Sequence, residues 1–287
     1  MKKISVAHSP DADDIFMYYA IKFGWVTPMD ATFENIADDI ETLNQATLEG
    51  KYDICAISFA LYPFVKDDYA LLKTAVSFGE GYGPKLIKRK NTKLKRNFKV
   101  ALSGEYTTNA LLFRIAYPDA RITYMNFLEI EDAVLKGEVD AGVLIHESIL
   151  NFDDQLEVER EIWDIWVELC KKDLPLPLGG MCIRRSIPLH SAIDYENTLI
   201  KAVDVANKNR DVLAPMLLEK GLIRVDAATL DNYLDLYAND NSVILSDIQY
   251  EALDKLFELG YKNGFYQNLI CAKDFLIPSE YKELRDK

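Results

Sequence analysis

The sequence predicts an α/β protein of two similar lobes facing each other across a cleft, and three observations carry that reading. Short apolar runs alternate with longer stretches of helical spacing, the pattern of strands wrapped by helices. The pattern also repeats. Lys99-Val100-Ala101-Leu102-Ser103 echoes Ser5-Val6-Ala7-His8-Ser9, and Leu135-Lys136-Gly137-Glu138-Val139-Asp140-Ala141 echoes Leu48-Glu49-Gly50-Lys51-Tyr52-Asp53-Ile54. A period of roughly ninety residues is too long for a solenoid unit and too short for two ordinary domains. Finally, 287 residues is long for a single core.

The elements follow in order. Lys3 to Ala7 reads as a strand and Ser9-Pro10-Asp11 as a turn. A helix through Ile15, Phe16, Tyr19, Ala20 and Phe23 has Asp13 or Asp14 in its first turn, where acids suit the dipole, and ends at Gly24. Ala31 to Ile36 is a second strand, Asp39 to Leu48 a helix stopped by Gly50, and Tyr52 to Ser58 a buried strand. Leu71 to Ser77 and Lys85 to Arg89 are expected to be further strands, joined by a glycine-rich turn. The programme then restarts at Lys99 and runs to Asp140-Ala141-Gly142-Val143-Leu144-Ile145-His146-Glu147, an apolar run without alternation. That run is expected as a strand buried on both faces of a parallel sheet.

Gly83-Pro84-Lys85-Leu86-Ile87-Lys88-Arg89 resembles Gly179-Gly180-Met181-Cys182-Ile183-Arg184-Arg185, and the two are expected as neighbouring strands of the first lobe. The chain then crosses the hinge twice, with residues 1–93 and 177–287 in lobe I and 94–176 in lobe II. Leu174-Pro175-Leu176-Pro177-Leu178-Gly179-Gly180, stiff and then flexible, suits the returning hinge and a cleft lining that includes Leu178 and Gly179. The tail from Tyr195 reads as helical, with Leu199, Val203 and Ala206 on one face and Leu253, Leu256, Phe257 and Leu259 on another.

Composition narrows the function. With 49% hydrophobic and 28% charged residues the chain reads as an ordinary globular protein. A net charge of −13 argues against nucleic acid or an anionic membrane as partner. The basic stretch from Lys85 to Lys99 reads as a solvated edge and hinge. No apolar run approaches the ~20 residues of a spanning helix. His8, Asp11, Asp13 and Asp14 interrupt any signal-peptide core, so no export signal is read and the cytoplasm is expected. Cys55, Cys170, Cys182 and Cys271 are scattered without a C-x-x-C pair; Cys55 and Cys182, in apolar runs, read as plain buried thiols. The partners expected are a small anionic molecule and, as an option, a second copy of the chain.

The candidate site residues cluster at strand ends. Ligands gather at the carboxyl ends of strands in open α/β sheets, so His146 stands where chemistry is expected. An imidazole near its ordinary pKa is the side chain best suited to take a proton at neutral pH. Glu147 either orients it or faces water. Ser103-Gly104-Glu105-Tyr106-Thr107-Thr108-Asn109 precedes an apolar helix, and its hydroxyls and free N–H groups make an anion or carboxylate site. Two adjacent threonines exceed what capping alone needs. In His8-Ser9-Pro10-Asp11-Ala12-Asp13-Asp14, the better readings are a capped helix start and a loop offering Ser9 to a ligand; no metal site is expected.

Taken together, these residues resemble the 1,4-dihydroxy-6-naphthoate synthase family of the futalosine route to menaquinone. The resemblance is carried by Ser9-Pro10 with Asp14, by Gly104 with Tyr106-Thr107-Thr108, by Asp140-Ala141-Gly142 with Leu144-Ile145-His146-Glu147, and by Leu174 to Gly180, in order along essentially the whole chain. It implies a type II periplasmic-binding-protein-like fold turned into a cytoplasmic enzyme. It further implies a cofactor-independent lyase that cleaves cyclic dehypoxanthine futalosine to 1,4-dihydroxy-6-naphthoate. The family's proton acceptor falls on His146, and its substrate contacts fall on Ala56, Ile57, Ser58, Thr107 and Thr108. One departure is the opening loop, Asp11-Ala12-Asp13, where other members carry Cys-Pro-Asn. The alternatives are chorismate dehydratase of the same pathway and a non-enzymatic protein that binds small acids; a sensing module with an attached DNA-binding domain is not expected.

Overall fold

The computed structural model describes residues 2–278. The first unit runs β1 (Lys2–His8), α1 (Ala12–Lys22), β2 (Ala31–Ala37), α2 (Ile40–Leu48), β3 (Ile54–Ser58), α3 (Tyr62–Val65), β4 (Tyr69–Leu71) and β5 (Ser77–Gly79). Next come β6 (Lys85–Arg89), β7 (Lys99–Leu102), α4 (Thr108–Ala116), β8 (Arg121–Tyr124), α5 (Ile130–Lys136), β9 (Ala141–Leu144), β10 (Leu156–Glu161) and α6 (Ile162–Cys170). The chain closes with β11 (Leu176–Arg184) and the helices α7 (Leu189–Lys208), α8 (Arg210–Glu219), α9 (Ala227–Tyr237) and α10 (Asp247–Lys262).

Two sheets form, one per lobe. The first has the order β2-β1-β3-β11-β4, with β5 also on β11; the second has the order β10-β6-β9-β7-β8. In each, three strands run parallel (β2, β1, β3 and β8, β7, β9), and one antiparallel strand follows (β11 and β6). The sheets are therefore mixed, where the apolar run of β9 had suggested a purely parallel one.

The repeated Leu-x-Gly-x-x-Asp has a physical cause. Gly50 and Gly137, at φ +66° and +75°, close α2 and α5 in the left-handed conformation glycine adopts at no steric cost. The aspartate that follows then ties the incoming central strand to its neighbour. Ser5 donates to the Asp53 carboxylate from both its N–H and its hydroxyl, each at 2.9 Å, and Lys99 donates its N–H to Asp140 at 2.8 Å. Asp53→Ala should cost about 2 kcal/mol in urea unfolding, and Asp140→Ala, losing one bond near solvent, less. Equal losses would remove the tie as the reason for the repeat.

Four expectations change. Lys85–Arg89 (β6) pairs with β9 and β10 and so belongs to the second sheet, placing the first crossing ahead of Lys85 instead of at 93. Its likeness to β11 is that of equivalent strands in the two lobes, not of neighbours in one. Nor is β6 an edge: it is interior, and Lys88 Nζ sits 2.7 Å from Glu159 of β10. Leu71–Ser77 is not one strand; β4 and β5 flank a loop that holds Ala75 at φ +53°. The Leu176–Gly180 stretch, read as hinge, is the start of β11, and its irregular register at Pro177–Gly179 accommodates a proline that has no N–H to give. The tail is helical, with Leu199, Val203, Ala206, Leu253, Leu256, Phe257 and Leu259 all buried. Cys55 and Cys182 are buried and free. Among the described residues no helix is long and apolar enough to cross a membrane.

Candidate active site

The carboxyl ends of β1, β3 and β9 and the start of α4 face a cavity of about 100 Å³ between the lobes. Ser9, Ala56, Ile57 and Ser58 line it from the first lobe, as do Leu178 and Gly179 of β11. Thr107, Thr108 and His146 line it from the second. Ser103, which is buried, and Glu147 do not line it.

His146 follows β9 and opens a single 3-10 turn, His146–Ile149. Its backbone is left-handed at φ +54°, a region histidine visits more often than most residues but still at a cost. The strand thus turns out of the sheet at this residue. The ring is held on two sides. Its Nδ1 lies 2.5 Å from Oδ2 of Asp11, in the β1–α1 loop of the opposite lobe, and its edge meets the Phe127 ring at 4.9 Å between centroids. Nε2 is buried and has no partner. A buried polar atom without a partner calls for an explanation, and a ligand in the cavity supplies one. His8, by contrast, has its Nδ1 2.6 Å from Ser9 O and its Nε2 2.6 Å from Asn35 Oδ1, so both ring nitrogens face protein atoms.

Glu147 does not orient the histidine. Its Oε1 accepts the Ala12 N–H at 2.9 Å and its Oε2 lies 3.6 Å from Arg224. The partner of the ring is Asp11.

The acidic loop behaves electrostatically as a set. Burial opposes a proton on His146, but the Asp11 carboxylate, with Glu147 and Asp14 beyond it, outweighs burial and raises the ring above its ordinary value. Burial likewise opposes the charge on Asp11, and the adjacent imidazolium outweighs it and holds that carboxyl low. Asp13 and Asp14 have no such partner. Burial and the charge of Asp11 push Asp14 up to about 8, and burial with Asp11, Asp14 and Glu147 pushes Asp13 well above the carboxylate range. The floor of the cavity therefore pairs Asp11 with His146, and beside that pair burial favours the protonated form of Asp13 and Asp14. Burial thus opposes negative charge on Asp13, Asp14 and Glu147 beside the cavity. Among the described residues no group of three or more His, Cys, Asp or Glu is placed to hold a metal ion.

The two threonines divide the work at the start of α4. Thr107 is the N-cap: its hydroxyl accepts from Ala110 N at 3.3 Å and donates to Gly104 O at 3.0 Å. Thr108 reaches across the cleft, its hydroxyl donating to Leu178 O at 3.0 Å and accepting from Ala60 N at 3.3 Å. The second threonine does exceed what capping needs, and the surplus hydroxyl bridges the lobes. What the pair offers a ligand is the helix start, whose first N–H groups have no partner within the helix. Across β3, Ser58 is pinned by Asn44, which accepts its N–H at 2.9 Å and donates to its hydroxyl at 3.1 Å.

Sequence reasoning missed Asp11 as a partner and missed Tyr233 and Tyr237 of α9, which line the cavity where α9 packs on α1 and β5. Tyrosines four apart on a helix read as ordinary core, and only their wall of the cavity sets them apart.

A family model described as menaquinone biosynthesis matches residues 4–262. A Streptomyces coelicolor protein named 1,4-dihydroxy-6-naphtoate synthase is 30% identical over 91% of this chain and 94% of its own length. A Thermus thermophilus protein of the same name is 29% identical over 90% and 93%. Among solved structures, an Archaeoglobus fulgidus protein superposes with a TM-score of 0.83 at 33% identity, covering 91% of this chain and 98% of its own. A ligand-binding component of an ABC-type import system from Staphylococcus aureus gives 0.71 at 13% identity, with 99% of both chains covered. The two-lobed fold is that of periplasmic binding proteins.

Proposed function

We propose, since this chain belongs to the menaquinone biosynthesis family, that it converts cyclic dehypoxanthine futalosine to 1,4-dihydroxy-6-naphthoate by cofactor-independent carbon–carbon bond cleavage in the cytoplasm. The observation that carries the reading is the unpartnered Nε2 of His146 beside the cavity, with Nδ1 already engaged. In this mechanism Nε2 takes a proton from the ribose-derived part of the substrate. The bond joining that part to the bicycle breaks, its electron pair passes into the bicycle, and the ring system becomes aromatic. Aromatisation supplies the driving force, so the protein has only to position the substrate and move one proton. The start of α4 is suited to hold the substrate carboxylate, and the lobes exclude water around the developing negative charge.

The test is a mass-spectrometric assay of the purified chain with cyclic dehypoxanthine futalosine, and with chorismate in parallel. The naphthoate product, formed without added metal or cofactor, is the expected result. Loss of water from chorismate, or tight binding of a small acid without turnover, would replace the reading.

The pH profile follows from the same geometry. His146 must be neutral to accept a proton, and its ring is held above the ordinary 6.5. On the acid side kcat/KM should therefore fall as pH drops through that raised value, placing the acidic limb above pH 6.5. A limb at or below it would mean that the Asp11 contact is broken in the working enzyme.

A further inference from the structure

We propose that Asp11 is the positioning residue of His146, delivered to the ring from the opposite lobe across the cleft. The proposal rests on the reading of His146 as the proton acceptor and deepens it. A neutral imidazole carries its hydrogen on either nitrogen, and only the form protonated at Nδ1 leaves a lone pair on Nε2. A carboxylate at Nδ1 selects that form, so Nε2 is left as the acceptor. Asp11 Oδ2 stands at that nitrogen at 2.5 Å, and Asp11 is only 4% exposed, so the contact is made away from bulk water. The same carboxylate faces the positive charge that appears on the ring once the proton has moved.

The contact is one of a set on this turn. Ala12, the residue after Asp11, gives its N–H to Glu147, the residue after His146, at 2.9 Å. Arg224, from the loop ahead of α9, approaches Glu147 and lies over the Phe127 ring at 5.4 Å from its centroid. Two consecutive residues of one lobe thus grip two consecutive residues of the other. The remaining titratable groups around the ring are Asp14 on α1, with Asp13 and Tyr233 next to Asp11 and Glu147. None of them hydrogen-bonds the imidazole, so selection of the tautomer falls to Asp11 alone.

Asp11→Asn is the test, made in the full chain. The change is near-isosteric, and the Asp11 side chain makes no capping hydrogen bond to α1, so folding should survive. The first readout needs no substrate: NMR titration of the His146 ring, identified by its absence in His146→Ala. Its midpoint should drop by about 1 pH unit or more without the adjacent carboxylate. Turnover should fall about tenfold with KM little changed, and the acidic limb should move down with the midpoint. In a His146→Ala background the same substitution should cost nothing further. An unmoved midpoint, or a loss that adds fully to that of His146→Ala, would overturn the role of Asp11 while leaving His146 as acceptor. Near-normal turnover in His146→Ala alone would instead overturn the acceptor itself, and the positioning role with it.

Discussion

His146→Ala is expected to lose turnover by about 10²-fold or more, roughly 2.7 kcal/mol of transition-state stabilisation, while binding substrate nearly as well. The size follows from its position. The other histidines do not replace it: His8 has both nitrogens engaged, and His190 is exposed on α7. The acids nearest the cavity floor are Asp11, spoken for by the ring, and Asp13 and Asp14, which burial keeps protonated. Removing the ring removes the nitrogen left free beside the cavity, and Asp11, released with it, stands on the Nδ1 side of where the ring was. The left-handed backbone complicates alanine slightly, because a Cβ is strained there whatever it carries. His146→Gly removes the ring and the strain together. The two variants should be equally slow, with glycine the more stable by about 1 kcal/mol. Added imidazole, which fits the space the side chain leaves, should restore part of the rate to both. Turnover near normal in either variant would end the assignment.

Gly142→Val should destabilise the fold by about 3 kcal/mol. Gly142 sits in the middle of β9, where α5 lies directly on the strand. A Cβ there would stand 2.4 Å from Ile130 Cγ2 and 3.0 Å from Val134 Cγ2. Both neighbours are fully buried, so neither side chain has free space to retreat into and the helix itself must lift. Because β9 leads through Ile145 into His146, the displacement should reach the site as well. Urea unfolding should show the lowered midpoint, and Ile130→Ala, which removes the crowding Cγ2, should relieve Gly142→Ala by more than the sum of the separate changes predicts. An unchanged midpoint in Gly142→Val would mean the helix is not seated on the strand as described.

What the sequence disclosed and withheld divides by distance along the chain. The Leu-x-Gly-x-x-Asp repeat was legible because its parts act locally: the glycine ends a helix and the aspartate catches the strand it introduces. The burial of β3 and β9 was legible from unbroken apolar runs. The sheet that β6 joins was not, since the choice between β9 and β11 as neighbour is a pairing over some tens of residues that leaves no mark on either strand. The same holds for the site. His146 could be picked out because a histidine closing a buried strand is conspicuous. Asp11 could not, because a turn aspartate ahead of a helix already has an ordinary explanation, and its contact bridges 135 positions, as does that of Ala12 with Glu147.

The hydroxyl of Thr108, bonded to Leu178 and Ala60, joins Asp11–His146 and Ala12–Glu147 in spanning the cleft from several points around the cavity. Parting of the two halves breaks all of these contacts together and widens the way out for a molecule inside. Turnover then has a mechanical component beside the chemical one. If parting is slower than bond cleavage, kcat should respond to the viscosity of the medium, which the chemical step ignores. A Thr108→Val enzyme, with the bridge cut, should lose that response before it loses its rate.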